Sequence, residues 1–248
     1  MVNIQKAAVI GCGFVGSTIA YTLMQKGLFS EMVLLDANKA KAEGEAMDIS
    51  HGLPFTHAMD IYAGEYEDIA DASVVIITAG ANQKPGETRL DLVQKNAAIM
   101  RSIIKEIKRV NCEGILLIVS NPVDILTEVA LRESGFPKER VIGSGTVLDT
   151  ARLKYIISEK LDVDSRNVHA FIVGEHGDSE LAAWSCANIY GIKLQDFAKM
   201  RGYEHFAQDM EEVYKGVRDS AYEIIERKGA TYYGIGMAAE KIVEAIVR

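Results

Sequence analysis

Three groups of residues in this chain have types and spacing that could do chemistry. Gly11-Cys12-Gly13-Phe14-Val15-Gly16 follows a short apolar run and opens a helical stretch. That spacing lets the backbone turn tightly, approach a pyrophosphate without Cβ interference and pack helix on strand, with helix N–H groups facing the anion. A second apolar run ends in Asp36, about 20 residues beyond the last glycine, where a dinucleotide fingerprint places its ribose acceptor. Asp36 in that place favours NAD over NADP; the plainer reading is a cap on the helix that begins near Asn38. The second group is His176, set between glycines in Gly174-Glu175-His176-Gly177-Asp178. A histidine presented so could exchange a proton near neutral pH, although a lone histidine in a turn more often serves packing or faces solvent. In the third group Asp149 and Arg152 stand three apart, on one helix face. By itself such a pair reads as a surface ion pair worth little.

The elements that must position these residues alternate between strand and helix. Buried strands are expected over residues 6–11, 32–36, 73–78, 114–119 and 141–143, with an edge strand over 58–62. Helices are expected between them over 17–26, 38–49, 90–109, up to 133 and up to 160. Alternation of this kind implies an open parallel sheet whose strand carboxyl ends face the ligand. Between the fourth run and its helix lies a polar loop over 79–89. There Pro85-Gly86 reads as a turn and Thr88, with Asp91 three residues on, as a helix cap, while the loop as a whole has the make-up of a closing lid. From residue 163 the texture changes to strands over 163–173 and near 181–189, a long helix over 203–228, and a last helix that ends the chain. The expected fold class is α/β, a Rossmann-type doubly wound parallel sheet over 1–145, followed by an α+β substrate domain over 146–248.

Composition removes other classes. A net charge of -8 leaves no basic face for nucleic acid or anionic lipid. No apolar run has the length to cross a membrane, and the first residues lack a signal-peptide pattern, so a cytoplasmic protein with small-molecule partners is expected. Cys12, Cys112 and Cys186 are too few and scattered for a disulfide framework or metal site, and packing as reduced thiols is expected.

Taken together, six stretches resemble the bacterial L-lactate dehydrogenase branch of the lactate/malate dehydrogenase family, in the family's order. They are the glycine turn, Asn82-Gln83-Lys84-Pro85-Gly86-Glu87-Thr88-Arg89, Ser120-Asn121-Pro122-Val123-Asp124, Leu148-Asp149-Thr150-Ala151-Arg152, the His176 pentapeptide, and Gly229-Ala230-Thr231-Tyr232-Tyr233-Gly234. The resemblance runs from Lys6 to the last residue; family chains continue further, so the second domain is expected to be shortened at its carboxyl end relative to them.

The resemblance implies hydride transfer between nicotinamide and the C2 carbon of pyruvate or L-lactate, with NAD as cofactor and no metal. It makes His176 the general acid and base, oriented by Asp149. Arg152 would hold the substrate carboxylate by bidentate pairing, and Arg89 would polarise the carbonyl once its loop closes. Asn121 and Asp124 would support the substrate region, Thr231 would line the pocket, and Gln83 would set substrate choice, because malate dehydrogenases carry an arginine there. For the cofactor it implies Gly11, Gly13, Val15, Gly16, Asp36, Lys41, Tyr66, Gly80, Ala81, Ser102, Val119, Ser120, Asn121 and Ser144. It further implies a homotetramer working in glycolysis and fermentation, with allosteric binding of fructose 1,6-bisphosphate at Lys154 and His169. Family members commonly have arginine where Lys154 stands, and lysine binds phosphate as a point charge without the fork. Two other readings stay open: a malate or other 2-hydroxy-acid dehydrogenase, and a dinucleotide-binding fragment with little turnover.

Overall fold

A computed structural model of the chain describes every residue except 82–85 and 87, and leaves out the side chain of Arg89. Six parallel strands form one sheet: β1 (Asn3–Ile10), β2 (Glu31–Leu35), β3 (Asp60–Ala63), β4 (Ala72–Ile77), β5 (Ile115–Ile118) and β6 (Val141–Gly143). Their order, β3-β2-β1-β4-β5-β6, reverses direction at β1 and β4, as the doubly wound expectation requires. The strands are apolar on both faces because both faces are covered. Ala7, Val9, Val74 and Ile76 enter one core with the helices α1 (Phe14–Lys26) and α2 (Lys39–Ser50). Their neighbours Ala8, Ile10, Val75 and Ile77 enter the other with α3 (Arg89–Arg109) and α4 (Val123–Ser134). The two-residue strand period thus sorts one apolar run into two cores. The cap expected at Thr88 is present: its hydroxyl accepts from Asp91 N–H while the Asp91 carboxylate accepts from Thr88 N–H.

The second compact unit, residues 145–231, begins with α5 (Val147–Leu161). The long strands expected over 163–173 and 181–189 are broken into pairs of residues. β7 (Val168–His169) joins a three-stranded antiparallel sheet with β10 (Asn188–Ile189) and β11 (Ile192–Lys193), whereas β8 (Ile172–Val173) pairs with β9 (Leu181–Ala182). The apolar run is continuous, but its two ends pair with different partners, so no single ladder can form. Helices α6 (Leu194–Met200) and α7 (Phe206–Lys228) close this core, where Leu153, Ile157 and Leu161 of α5 meet Met210, Val213 and Val217 of α7.

The last helix, α8 (Tyr233–Val247), packs on α1, with Gly236 against Thr18 so tightly that a Cβ there would lie 2.5 Å from the Thr18 methyl carbon. In space it therefore groups with the sheet: the compact units are residues 1–144 with 232–248, and residues 145–231, a different partition from the linear one at 145/146. Cys12 and Cys112 are buried as expected; Cys186 is exposed, at the end of a short helical turn. Among the described residues no helix is long and apolar enough to cross a membrane.

Candidate active site

The glycine turn is built by close packing of backbone on backbone. A Cβ on Gly16 would lie 1.8 Å from the Gly11 carbonyl oxygen, and one on Gly11 would lie 2.5 Å from the Ala79 nitrogen. Both positions therefore exclude any side chain, and the Thr78 hydroxyl seals the crossing by donating to the Gly11 carbonyl at 2.7 Å. Gly13 differs, since a Cβ there meets nothing within 4 Å. It is the N-cap of α1, makes no side-chain cap bond, and is followed by a first turn without acidic residues. The first N–H groups of the helix thus stand beside Gly13, where an added Cβ would meet open space, an arrangement that suits a pyrophosphate.

Asp36 accepts from Cys12 N–H at 2.7 Å with one oxygen and from Asn38 N–H at 2.9 Å with the other. The cap of α2 is Asn38, whose side chain accepts from Lys41 N–H, so Asp36 braces the glycine turn instead of capping that helix. A carboxylate has acceptor capacity beyond two bonds, leaving room for a ribose hydroxyl.

Further along the sheet, the segments after β4 and β5 are tied together by a residue that sequence reasoning missed. Asn96, only 4% exposed, accepts from Ala81 N–H at 2.8 Å and donates to the carbonyls of Asn121 at 2.8 Å and Ala81 at 3.3 Å. The signal was available: Asn96 is a polar residue on the stripe that continues through Met100, Ile103, Ile104 and Ile107. Ser120 donates to the Ala79 carbonyl at 2.7 Å, and Ser144 N–H to the Ile118 carbonyl at 2.8 Å, so Gly80, Ala81, Val119, Ser120, Asn121 and Ser144 are held at or beyond the carboxyl ends of their strands. Asp124 lies in the first turn of α4. Tyr66 packs against the core beneath α3, and burial pushes its hydroxyl up to about 12. Lys41 and Ser102 are exposed, on the first turn of α2 and on the outer side of α3. Gln83 and the Arg89 side chain lie outside the described residues.

The second unit brings His176 to a pair, Asp149 and Arg152, that stands 27 and 24 residues before it in the sequence. His176 Nδ1–H donates to Asp149 Oδ2 at 2.5 Å, and Arg152 donates to Asp149 Oδ1 at 3.0 Å. Asp149 is 2% exposed, so this is no surface ion pair. Register comes from α5 and its N-cap: Thr146 Oγ1 donates to the Ile172 carbonyl at 2.7 Å, and Thr150 Oγ1 accepts from Ile172 N–H at 2.9 Å, pinning β8 to the helix that carries Asp149. After β8 the chain turns through Gly174 and Gly177, at φ 95° and 136°, a region that glycine alone enters without strain, and returns as β9. The Asp149 hydrogen bond raises the pKa of His176 above its ordinary value, while burial and Arg152 pull the other way. Thr231 closes the unit in sequence, Lys154 is half-buried on α5, and His169 is exposed on β7 opposite Asn188.

These two constructions, an open glycine turn on a doubly wound sheet and an aspartate-braced histidine beside an arginine, can be compared with known proteins. A model of the lactate/malate dehydrogenase NAD binding domain matches residues 5–143, and one of the same family's alpha/beta C-terminal domain matches residues 146–248. The chain belongs to the lactate/malate dehydrogenase family. Among curated members it is 56% identical over 245 residues to an L-lactate dehydrogenase of Acetivibrio thermocellus, covering 99% of this chain and 77% of that protein. To the L-lactate dehydrogenase of Priestia megaterium it is 55% identical, covering 98% of this chain and 76% of the other. Among solved structures, a lactate dehydrogenase from a Medee basin deep-sea metagenome library superposes with a TM-score of 0.95 at 54% identity, over 100% of this chain and 78% of that one. The minor L-lactate dehydrogenase from Enterococcus mundtii in a ligands-bound form gives 0.95 at 48%, over 98% and 78%.

Membership in the lactate/malate dehydrogenase family assigns NAD to the first unit, and the residues fit it. The unfilled space at Gly13 and the spare acceptor capacity of Asp36 are the features a dinucleotide requires. One carboxylate oxygen each of Asp149 and Glu180 and a ring nitrogen of His176 lie within 4.8 Å of one another, a spacing that could suggest a metal. The Arg152 guanidinium already occupies Asp149 Oδ1 and opposes a second cation there.

Proposed function

We propose that this chain is an NAD-dependent L-lactate dehydrogenase that interconverts pyruvate and L-lactate. The observation that carries the reading is the buried His176–Asp149 contact with Arg152 alongside, in a chain whose similar relatives carry that name. Bound NADH supplies the hydride. His176 holds a proton at Nε2, because Nδ1–H is committed to Asp149, and gives it to the carbonyl oxygen of pyruvate. Asp149, hydrogen-bonded at Nδ1, orients the ring and stabilises the imidazolium; in lactate oxidation Nε2 takes the proton back. Arg152 pairs with the substrate carboxylate, spending the guanidinium edge not given to Asp149. The role we assign to Arg89 is to polarise the carbonyl, and that of Gln83 is to tolerate a methyl group where a dicarboxylic substrate would need a cation. Asn121, Asp124 and Thr231 support the substrate, and Lys41, Tyr66 and Ser102 belong to the cofactor region.

The proposal extends to context. The protein works in the cytoplasm, in glycolysis and fermentation, as a homotetramer. Fructose 1,6-bisphosphate activates it through Lys154 and His169, two basic residues carried by α5 and β7. A pyruvate saturation curve that the bisphosphate leaves unchanged removes that part.

The test of the whole is NADH oxidation with pyruvate and, separately, with oxaloacetate. Turnover with pyruvate far above that with oxaloacetate is expected; the reverse preference makes the chain a malate dehydrogenase, and NADH binding without turnover makes it a binding protein. Gln83→Arg should then move relative kcat/KM toward oxaloacetate, since a buried cation without a partner is costly until a second carboxylate arrives.

A further inference from the structure

The acid/base cluster contains a fourth charged group that neither the histidine motif nor the proposed chemistry uses. Glu180, four residues after His176, is 6% exposed, and among the described residues its Oε1 has no hydrogen-bond partner. Its place is fixed from two sides. Its N–H donates to the Gly177 carbonyl at 3.0 Å, closing the turn that carries His176, and its carbonyl accepts from the Tyr214 hydroxyl of α7. With its backbone held in this way, its buried carboxyl lies beside the Asp149 carboxylate and the His176 ring, one ligand atom of each within 4.8 Å of the others.

Charge counting shows what such a group does. Arg152 is always positive, and Asp149 accepts from both Arg152 and His176, the role of a carboxylate. The set of Asp149 and Glu180, both buried, with Arg152 and His176, both partly buried, is therefore neutral when His176 and Glu180 together hold one proton. With none it carries one negative charge, and with two it carries one positive charge. A poorly solvated site disfavours both extremes, so the two residues titrate as a unit. The charged groups that act on Glu180 are Asp149, His176 and Arg152; on α7, Arg218, whose guanidinium lies 4.7 Å over the Tyr214 ring, and Glu211 act on Tyr214, and in the turn Glu175 accepts from the Ser179 hydroxyl. The directions agree with the count: burial and then Asp149 push Glu180 up to about 7, and the Glu180 charge acts to raise His176.

We propose that Glu180 is a positioning residue of the acid/base site, a second proton holder coupled to His176 through Asp149, which keeps the buried cluster neutral as His176 gains or gives up its proton. The inference rests on the acid/base reading of His176, and its test can be made without turnover. The His176 ring proton is followed by NMR against pH in the ligand-free protein, with the resonance identified by its loss in His176→Asn. In the parent a curve with two inflections is expected, one of them reporting Glu180. In Glu180→Gln, which mimics the protonated carboxyl in shape and charge, the second inflection should vanish and the midpoint should fall. Glu180→Asp should restore the two-step curve. In pyruvate reduction the alkaline limb of kcat/KM should shift to lower pH in Glu180→Gln, a loss of about tenfold on that limb. A one-step His176 curve in the parent, or superimposable curves in parent and Glu180→Gln, overturns the proposal; a purely structural glutamate would lower thermal stability and leave the midpoint in place. Inactivity of the parent toward pyruvate with the NMR behaviour intact would instead remove the lactate dehydrogenase reading and leave Glu180's coupling standing.

Discussion

The two sites of this chain are made by opposite means. The nucleotide site is backbone: Gly11 and Gly16 are demanded by contacts under 3 Å, Asp36 is already engaged by two N–H groups, and the ligand space is left open by Gly13. The acid/base site is side chains, four charged groups drawn from α5 and the turn between β8 and β9 and buried against one another. Binding a dinucleotide requires a fixed shape, and a backbone turn provides one. Moving a proton at a chosen pH draws on groups whose affinities their neighbours tune, and side chains packed against one another are tuned most. Damage to the first region should therefore appear as lost fold or lost affinity, and damage to the second as lost rate or altered pH dependence.

The sharpest separation is His176→Asn. It should lower kcat for pyruvate reduction by about 10²–10⁴-fold, the range for removing a general acid, while the dissociation constant for NADH changes little. Steady-state rates and NADH fluorescence titration check both halves; a large loss of NADH affinity would show that the two sites are not separable.

Within the nucleotide turn the glycines should part company. Gly16→Ala forces a Cβ onto a carbonyl oxygen and should cost on the order of 1–3 kcal/mol or more, seen as a lower midpoint of thermal unfolding. Gly13→Ala has open space and should leave unfolding nearly unchanged, yet weaken NADH binding because the added methyl group occupies the ligand's place. If Gly13→Ala bound NADH as the parent does, the cradle would lie elsewhere.

Asp36→Ala should produce a smaller effect, about tenfold weaker NADH binding and a reduced preference for NADH over NADPH, measured as the ratio of their dissociation constants. Because Asp36 also braces Cys12 and Asn38, part of that loss will be loosening of the turn.

The same contrast decides what could be read in the sequence. The sheet was legible because its strands are short, apolar and separated by helices of the right period, and the glycine spacing because its constraints are local. Asp149 and His176 are 27 residues apart, and their contact depends on the hydroxyls of Thr146, the N-cap of α5, and of Thr150 within it holding β8, a relation no spacing rule contains. Glu180 reads in sequence as one more surface acid, and Asn96 as an ordinary helix residue unless its place on the apolar stripe is noticed. The run over 163–173 misled for a physical reason, since apolar continuity predicts burial and leaves open which strand each half will pair with.

The smallest effect is on stability, and its sign follows from the two shifts in the acid/base cluster. His176 has a raised pKa in the fold, so the folded state binds its proton more tightly than the unfolded chain does. The resulting stabilisation is complete below the ordinary imidazole value and is lost as pH rises through the raised one. Glu180 is also raised, to about 7, so from the ordinary carboxylate range up to about 7 the folded state again holds more protons and stability falls with rising pH. Both groups therefore erode stability in the same direction, Glu180 first and His176 after it. Urea unfolding from pH 5 to pH 9 should show this descent in the parent; Glu180→Gln should flatten its lower part and His176→Asn its upper part. A parent profile that rises across neutrality would mean that these groups are not buried together as the geometry places them.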